Sequence, residues 1–192
     1  MNKKSLILVA FAALSAFGAA QQVQINSDGR PERIFRPAKG LDNEDAKFLR
    51  QALVSNQFEL LTSKLAEENG SSAYTKEFAK EMALDHKAAL DEAEQTAQER
   101  NLNTDVDLPH NLQACINHLS KLHGDAFDQE FRSAQKMGHE QTIQVFKNEI
   151  QNGHDELVKA MAVKELPSIE LHYKMLLTHK TMMGDTAADH GM

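Results

Sequence analysis

Three histidines and one glutamate occupy the apolar rows of predicted helices, where a polar side chain is costly to bury without a partner. They are His86, His139, His172 and Glu59. His86 continues a row of small and apolar residues, His139 lies between two phenylalanines about two turns away on either side, and Glu59 lies among small residues. Imidazole and carboxylate together are ligands of divalent transition metals. The pattern therefore predicts a metal site with these four residues as ligands.

Each histidine taken alone would more often be a hydrogen-bonded core residue than a ligand. The metal hypothesis rests on convergence, since the midpoints of antiparallel helices of similar length meet at one level of a bundle. Asp85 points about 100° away from His86 on the same helix, so it could orient a histidine of a neighbouring helix. Asp128 is assigned the same supporting role. The alternative for Asp85 is an ordinary surface acid.

The C-terminal stretch HYKMLLTHKTMM, residues 172–183, aligns histidine and methionine on one helical face. Thioether and imidazole together suit copper, above all Cu(I), better than iron or magnesium. Two more such residues follow in the tail, and the predicted second metal site comprises Met175, His179, Met182, His190 and Met192. The alternative is that the methionines only fill the core.

Helices must position all these residues, because prolines occur only at 109 and 167 between residues 42 and 183 and β-branched residues never dominate. We expect helices over about 43–68, 73–101, 109–122 and 125–151. A last helix is divided at Leu166-Pro167, with its second part over 168–183. Asn-Gly pairs at 69–70 and 152–153 suit left-handed helix ends. The fold predicted is all-α, an up-and-down four-helix bundle with one additional short helix and a proline-broken last helix.

The first twenty residues have the order of a secretory signal peptide, with two lysines, an apolar run and small residues ending at Ala20. The apolar run is too short for a membrane-spanning helix. We expect residues 1–20 to be this signal peptide, 21–41 an extended or disordered leader, 42–184 the helical bundle domain, and 185–192 a flexible tail. The mature protein should be exported, to a periplasm or cell envelope.

The chain carries a net charge of −7, and removing Lys3 and Lys4 makes the mature chain more acidic. This argues against nucleic acid or an anionic membrane as a partner. Cys115 is the only cysteine, so no disulfide can form within the chain. No nucleophile elbow or glycine-rich phosphate loop occurs. The sequence leaves the oligomeric state open, a homo-oligomer included.

Several motifs resemble the bacterial envelope family known as domain of unknown function 4142. They are Glu59 with Leu-Ala at 65–66, FAKEM-LDH at 78–86, FDxxF at 127–131, His139 with Phe146, and ELPSIELH at 165–172. The resemblance covers about 41–177 and implies a ferritin-like four-helix bundle, while the family has no settled activity. No Glu-x-x-His occurs in the sequence, whereas two such pairs supply the ligands of di-iron bundles. Iron storage and ferroxidase chemistry are therefore not expected.

These features predict an exported helical-bundle protein that binds a transition metal, with copper favoured and zinc or iron as alternatives. If the protein is an enzyme, it would be a metal-dependent oxidoreductase, similar to superoxide dismutase, acting on a small substrate. Two alternatives stay open. One is a metal-free structural or stress-related envelope protein, and the other is a copper-handling chaperone without turnover.

Overall fold

A computed structural model describes the backbone of residues 24–25, 31–32 and 41–186, and the side chains of residues 41–178. The chain divides into two compact units, residues 1–36 and 37–192. In the first, strands β1 (Gln24–Ile25) and β2 (Pro31–Glu32) pair antiparallel, with Gln24 opposite Glu32. The helices of the second are α1 (Asn43–Asn69), α2 (Ala73–Glu99), α3 (His110–Leu119), α4 (Gly124–Asn152) and α5 (Glu156–Thr186). None of the helices described is long and apolar enough to cross a membrane.

The four long helices form two hairpins, α1 with α2 and α4 with α5, and the hairpins pack together through α1 on α4 and α2 on α5. The short helix α3 lies against α1 and α4. The predicted all-α four-helix bundle with one additional short helix is confirmed. Residues 1–20 and 187–192 lie outside the described residues, so the predicted signal peptide and most of the tail are not part of this description.

The helices run up, down, down and up rather than alternating strictly. The turn at Ser71 between α1 and α2 is hydrogen-bonded to Asp125 and Asp128 at the start of α4. Asp45 at the start of α1 is bonded to the turn between α4 and α5. The link over 100–123, which contains α3, must therefore return along the length of the bundle before α4 begins.

The end of α1 shows why Gly70 is present. The left-handed conformation predicted there is wrong, because Gly70 has φ −65° and ψ 149°. A Cβ at this position would lie 2.6 Å from the carbonyl oxygen of Ala66 and 3.1 Å from a carboxylate oxygen of Asp128. Lack of space, not backbone conformation, requires glycine in this turn.

The predicted break of the last helix at Pro167 is also wrong, since α5 continues through it to Thr186. Proline removes one backbone N–H and crowds the carbonyl four residues earlier, which belongs to Val163. Both Val163 and Pro167 are on the exposed face of α5, where water can reach that carbonyl. The helix therefore tolerates the missing bond at modest cost.

Two apolar clusters lie on either side of a polar layer in the bundle core. Phe48 and Phe146 meet edge to face in the first cluster, with ring centroids 4.9 Å apart, and Phe127 stacks on Phe131 in the second at 5.6 Å. The buried polar layer between them comprises Asn56, Glu59, Thr62, His86, Gln135, His139 and His172. These seven polar residues thus share one level, near the middle of the four long helices.

Candidate metal centre

His86, His139 and His172 meet at the middle of the bundle, each near the midpoint of a different helix. Their ring centroids are 5.5 to 5.8 Å apart. One ring nitrogen of each lies within 4.8 Å of one ring nitrogen of each of the others. The side chains are 6%, 2% and 1% exposed, so water does not solvate them freely. The midpoint argument made from the sequence therefore brings these three residues together.

A hydrogen bond to an acceptor engages one nitrogen of each imidazole. The pairs are His86 Nδ1 with Asn56 Oδ1 at 2.7 Å, His139 Nδ1 with the Gln135 carbonyl at 2.9 Å, and His172 Nε2 with Asp85 Oδ2 at 3.0 Å. Because every partner is an oxygen acceptor, the engaged nitrogen is the one that carries hydrogen. These bonds hold the ring orientation and leave the other nitrogen unprotonated in a neutral imidazole.

The remaining nitrogens, His86 Nε2, His139 Nε2 and His172 Nδ1, are buried and have no hydrogen-bond partner among the described residues. Burial, and then the charges of the other two histidines, hold the pKa of His86 well below its usual value. Burial lowers the pKa of His139 to about 4. Both rings are thus neutral near pH 7, and their free lone pairs are the form in which histidine binds a metal.

Glu59 lies beside this cluster rather than in it. Its Oε1 is 3.9 Å from His139 Nδ1, the nitrogen already bonded to the Gln135 carbonyl, so Glu59 approaches the ring away from the free nitrogen. Burial raises the pKa of this carboxyl to about 8. The midpoint of α1 is Asn56, and Glu59 is nearly one turn further along, which explains why Asn56 and not Glu59 meets His86.

The two predicted supporting aspartates lie in different places. Asp85 reaches His172 from α2 and also accepts a hydrogen bond from Ser168 Oγ at 3.1 Å. Asp128 lies at the end of the bundle, where both carboxylate oxygens accept hydrogen bonds from Ser71 and Ser72. Asp128 therefore stabilises a turn and does not approach the histidines.

The predicted second metal site falls mostly on residues without described side chains. Met175 packs against the second apolar cluster, and its carbonyl accepts a hydrogen bond from the Tyr74 hydroxyl at 2.9 Å. The side chains of His179 and Met182, and all of His190 and Met192, lie outside the described residues. For Met175 itself, the packing agrees with the alternative of a core-filling methionine.

Another group that resembles a metal site, Asp42, Asp45 and His154, holds the bundle end together. Both oxygens of Asp45 accept backbone N–H bonds from His154 and Asp155 at 3.0 Å. One oxygen of Asp42 caps α1, and the other lies 2.6 Å from His154 Nδ1. Since these oxygens already have partners, this group is better explained as a set of hydrogen bonds that joins the start of α1 to the turn before α5.

A cavity of about 210 Å³ reaches the histidine cluster from the side of α2 and α5. His86 and His172 line it, and so do Lys164 and Glu92, which form an ion pair at 2.6 Å. Glu165 also lines it, and burial raises the pKa of this carboxyl to about 8. Glu165 is seven residues, close to two turns, before His172, and this spacing was the signal in the sequence that could have identified it.

Comparison with known proteins gives one matching family and two solved structures with a similar fold. The sequence model of the family described as domain of unknown function (DUF4142) matches residues 31–178. A DUF305 protein from Streptomyces coelicolor, described as a candidate secreted protein, is 15% identical with a TM-score of 0.62, covering 78% of this chain and 96% of its own. A DUF305 fragment from Deinococcus radiodurans is 10% identical with a TM-score of 0.65, covering 72% and 96%. At these sequence identities the two structures show a similarity of fold only. No curated protein matches the chain significantly.

Proposed function

The chain belongs to the domain of unknown function 4142 family, and from that premise we propose that it binds a single transition metal through His86, His139 and His172. The observation that supports this is a set of three imidazoles that each have one buried, unpartnered nitrogen and that bring one nitrogen each within 4.8 Å of the others. Without a ligand, each would be a buried acceptor left unpaired, which is unfavourable. Glu59 is not a ligand in this proposal, because its Oε1 lies 3.9 Å from the His139 nitrogen that is already bonded to the Gln135 carbonyl.

Copper is the metal we favour, with zinc and iron as alternatives. Three imidazoles suit all three metals, so the preference for copper comes from the soft methionine and histidine row that follows His172. We also propose export to the periplasm or envelope. The N-terminal pattern supports export, as does the description of the Streptomyces coelicolor neighbour as a candidate secreted protein.

The cavity beside the histidines supports a small substrate, because its volume of about 210 Å³ leaves no space for a large one. Superoxide is the substrate we propose, converted by dismutation: two superoxide ions and two protons give one O₂ and one H₂O₂. A bound copper ion would supply the electron transfer. Asp85 would hold the ring of His172, and the carboxyl of Glu165 in the cavity would provide a proton.

The test is the metal content of the protein, expressed with its own leader and purified without an affinity tag. We expect about one copper ion per chain in the wild type and almost none in His172→Phe. Phenylalanine keeps the ring volume but lacks the nitrogen. The change leaves Asp85 half exposed, with water as an alternative partner, so the variant should fold.

The matched control is His118→Phe, the same change at an exposed histidine of α3. It should keep the metal. Copper retained in His172→Phe would contradict the three-histidine site and favour the methionine row as the ligand set. A wild type that stays metal-free after incubation with copper would contradict metal binding and favour a structural protein. If copper is present, superoxide consumption is then measured in both proteins.

Copper handling without turnover is the second candidate, and one observation favours it. Glu81, Asp85 and His172 form a further group within ligand distance, and Asp85 is about half exposed. A metal could therefore pass between the surface and the buried histidines through His172, which both groups share. Rapid transfer of copper to a competing chelator, with no superoxide consumption, would favour handling over catalysis.

A further inference from the structure

A second and larger cavity, of about 450 Å³, lies between α1, α4 and the chain around residues 109–112. It is distinct from the cavity beside the histidines. Four residues line both cavities and form the wall between them: Ala52, Ser55, Thr142 and Phe146. The hydroxyls of Ser55 and Thr142 lie 3.4 Å apart in this wall. The second cavity is therefore a separate feature of the fold.

Its lining combines an apolar surface with one buried polar group, which is typical of small-molecule sites of this size. Phe58, Leu112 and Val145 provide much of the apolar surface. Glu59 is the buried polar group, only 3% exposed, and its Oε2 has no hydrogen-bond partner among the described residues. A ligand with a hydrogen-bonding group would supply the missing partner.

Two cations lie where α1 borders the cavity. Lys47 and Arg50 line it, both are exposed, and neither pairs with a carboxylate in the part of the chain that the structure describes. Unpaired cations at a cavity stand out on a chain with a net charge of −7. They make this part of the surface suited to an anionic group.

Gly138 keeps the cavity open from the side of α4. Glycine inside a helix costs about 1 kcal/mol relative to alanine. A Cβ added there would meet only Glu59 Oε1, at 3.5 Å, which is an ordinary contact. The backbone around Gly138 thus does not require glycine, whereas a longer side chain would extend into the cavity.

We propose that this cavity binds a small amphipathic anion. Its apolar body would lie against Phe58, Leu112 and Val145, its charge would meet Lys47 and Arg50, and a polar group would reach Glu59. This site is independent of the proposed metal site, because the wall of four residues separates the two cavities and no histidine lines the larger one.

Two fluorescent probes of similar shape test the proposal on the full chain after removal of metal by a chelator. One is 8-anilinonaphthalene-1-sulfonate, an amphipathic anion, and the other is N-phenyl-1-naphthylamine, which lacks the sulfonate. We expect the sulfonate to bind saturably, with one molecule per chain, and at least tenfold more tightly than the neutral probe. The double variant Lys47→Gln, Arg50→Gln should remove this tenfold preference and leave the neutral probe unaffected.

Gly138→Leu should reduce binding of both probes at least tenfold because leucine fills the cavity, and its higher helix propensity favours folding. The controls are Gly138→Ala and Lys64→Gln, an exposed cation of α1 away from the cavity, and both should bind as the wild type within twofold. Unchanged sulfonate binding in Gly138→Leu, or binding without saturation, would overturn the cavity as the site. Equal affinity for both probes would overturn the anionic ligand.

Discussion

The carboxylates at the turns of this bundle and the polar groups in its interior differ in how completely they are hydrogen-bonded. At the turns, Asp45 and Asp128 accept backbone N–H bonds from the turn of the other hairpin, and Asp155 accepts one from the first turn of α5. In the interior, Glu59 and Glu165 each have one buried carboxylate oxygen without a hydrogen-bond partner among the described residues. Three imidazole nitrogens are buried and unpartnered in the same way. The first group completes the fold, whereas the second leaves acceptors available.

Their pKa values differ in the same sense. Burial raises the pKa of Asp128, but hydrogen bonds from Ser72 and Ser71 outweigh it and hold the value below the ordinary one. For Asp155, the hydrogen bond from Arg100 lowers the pKa. In the interior, burial raises the pKa of Glu59 and Glu165 to about 8. Asp128 and Asp155 are thus stabilised as anions, and Glu59 and Glu165 as neutral acids.

The largest effect that separates the two regions is expected at Asp128. Asp128→Asn replaces an oxygen acceptor with an NH₂ donor that faces donors from Ser71 and Ser72. Losing these charge-assisted bonds should lower the free energy of unfolding by about 3 kcal/mol. Urea denaturation measures the loss, and the metal content should be unchanged.

The matched control is Asp125→Asn, an exposed carboxyl one turn before, which accepts one bond from the Ser71 hydroxyl. It should change stability by about 0.5 kcal/mol or less. Loss of metal in Asp128→Asn, with the bundle still folded, would contradict the separate roles of the turn carboxylates and the interior polar groups.

The fold was largely predictable because helix periodicity, few prolines and polar turns are local signals. What the sequence could not supply was the direction of each helix, since the link over 100–123 can either cross the bundle end or return along its side. The wrong break at Pro167 has a similar cause. A proline removes one hydrogen bond in any helix, but whether the helix continues depends on the exposure of its neighbours, and exposure is a tertiary property.

The histidines of the site were predictable because each lies near the middle of its helix, and the midpoints meet whatever the order of the helices. Residues that bond them were harder to identify. Asn56 is one of several polar residues on α1, and its contact with His86 depends on the relative rotation of the two helices. Gln135 contributes its backbone carbonyl to His139, and no side-chain pattern reports such a bond.

An intermediate effect is expected for pH dependence in the metal-free protein. The pKa of Glu165 is about 8 in the folded chain against an ordinary value of 4.5. Between these values the folded chain keeps a proton that the unfolded chain releases, so stability falls as pH rises, by about 1.4 kcal/mol per unit. Between about pH 6.5 and pH 8, Glu165→Gln should remove about 2 kcal/mol of this fall, measured by urea denaturation.

Other groups set the background of that experiment. Glu59, and Glu149 with a pKa raised to about 7 by burial and by Asp45, act in the same direction, so some fall remains in the variant. The charge of Glu92 raises the pKa of Glu165 further, and the charge of Lys164 lowers it. The control Glu67→Gln, on the surface of α1, should match the wild type. A wild-type slope in Glu165→Gln would mean that this carboxyl is ionised in the folded protein, as those of the turns are.

The smallest effect concerns Asp85, a half-exposed carboxylate that is bonded to the buried His172. In the wild type, Asp85 fixes the ring of His172 and raises the basicity of that imidazole. Because Asp85→Ala removes this acceptor, copper affinity should fall about tenfold, which is about 1.4 kcal/mol. Competition with a calibrated chelator measures the affinity, and Asp91→Ala, an exposed acid further along α2, is the control. The free energy of unfolding without metal should fall by about 1 kcal/mol, because the buried Nε2–H of His172 loses its acceptor while Asp85 itself is half exposed. A large loss of stability with unchanged affinity would place Asp85 with the turn carboxylates, whereas the expected pattern assigns it to the interior group, whose hydrogen bonds prepare a ligand rather than hold the fold.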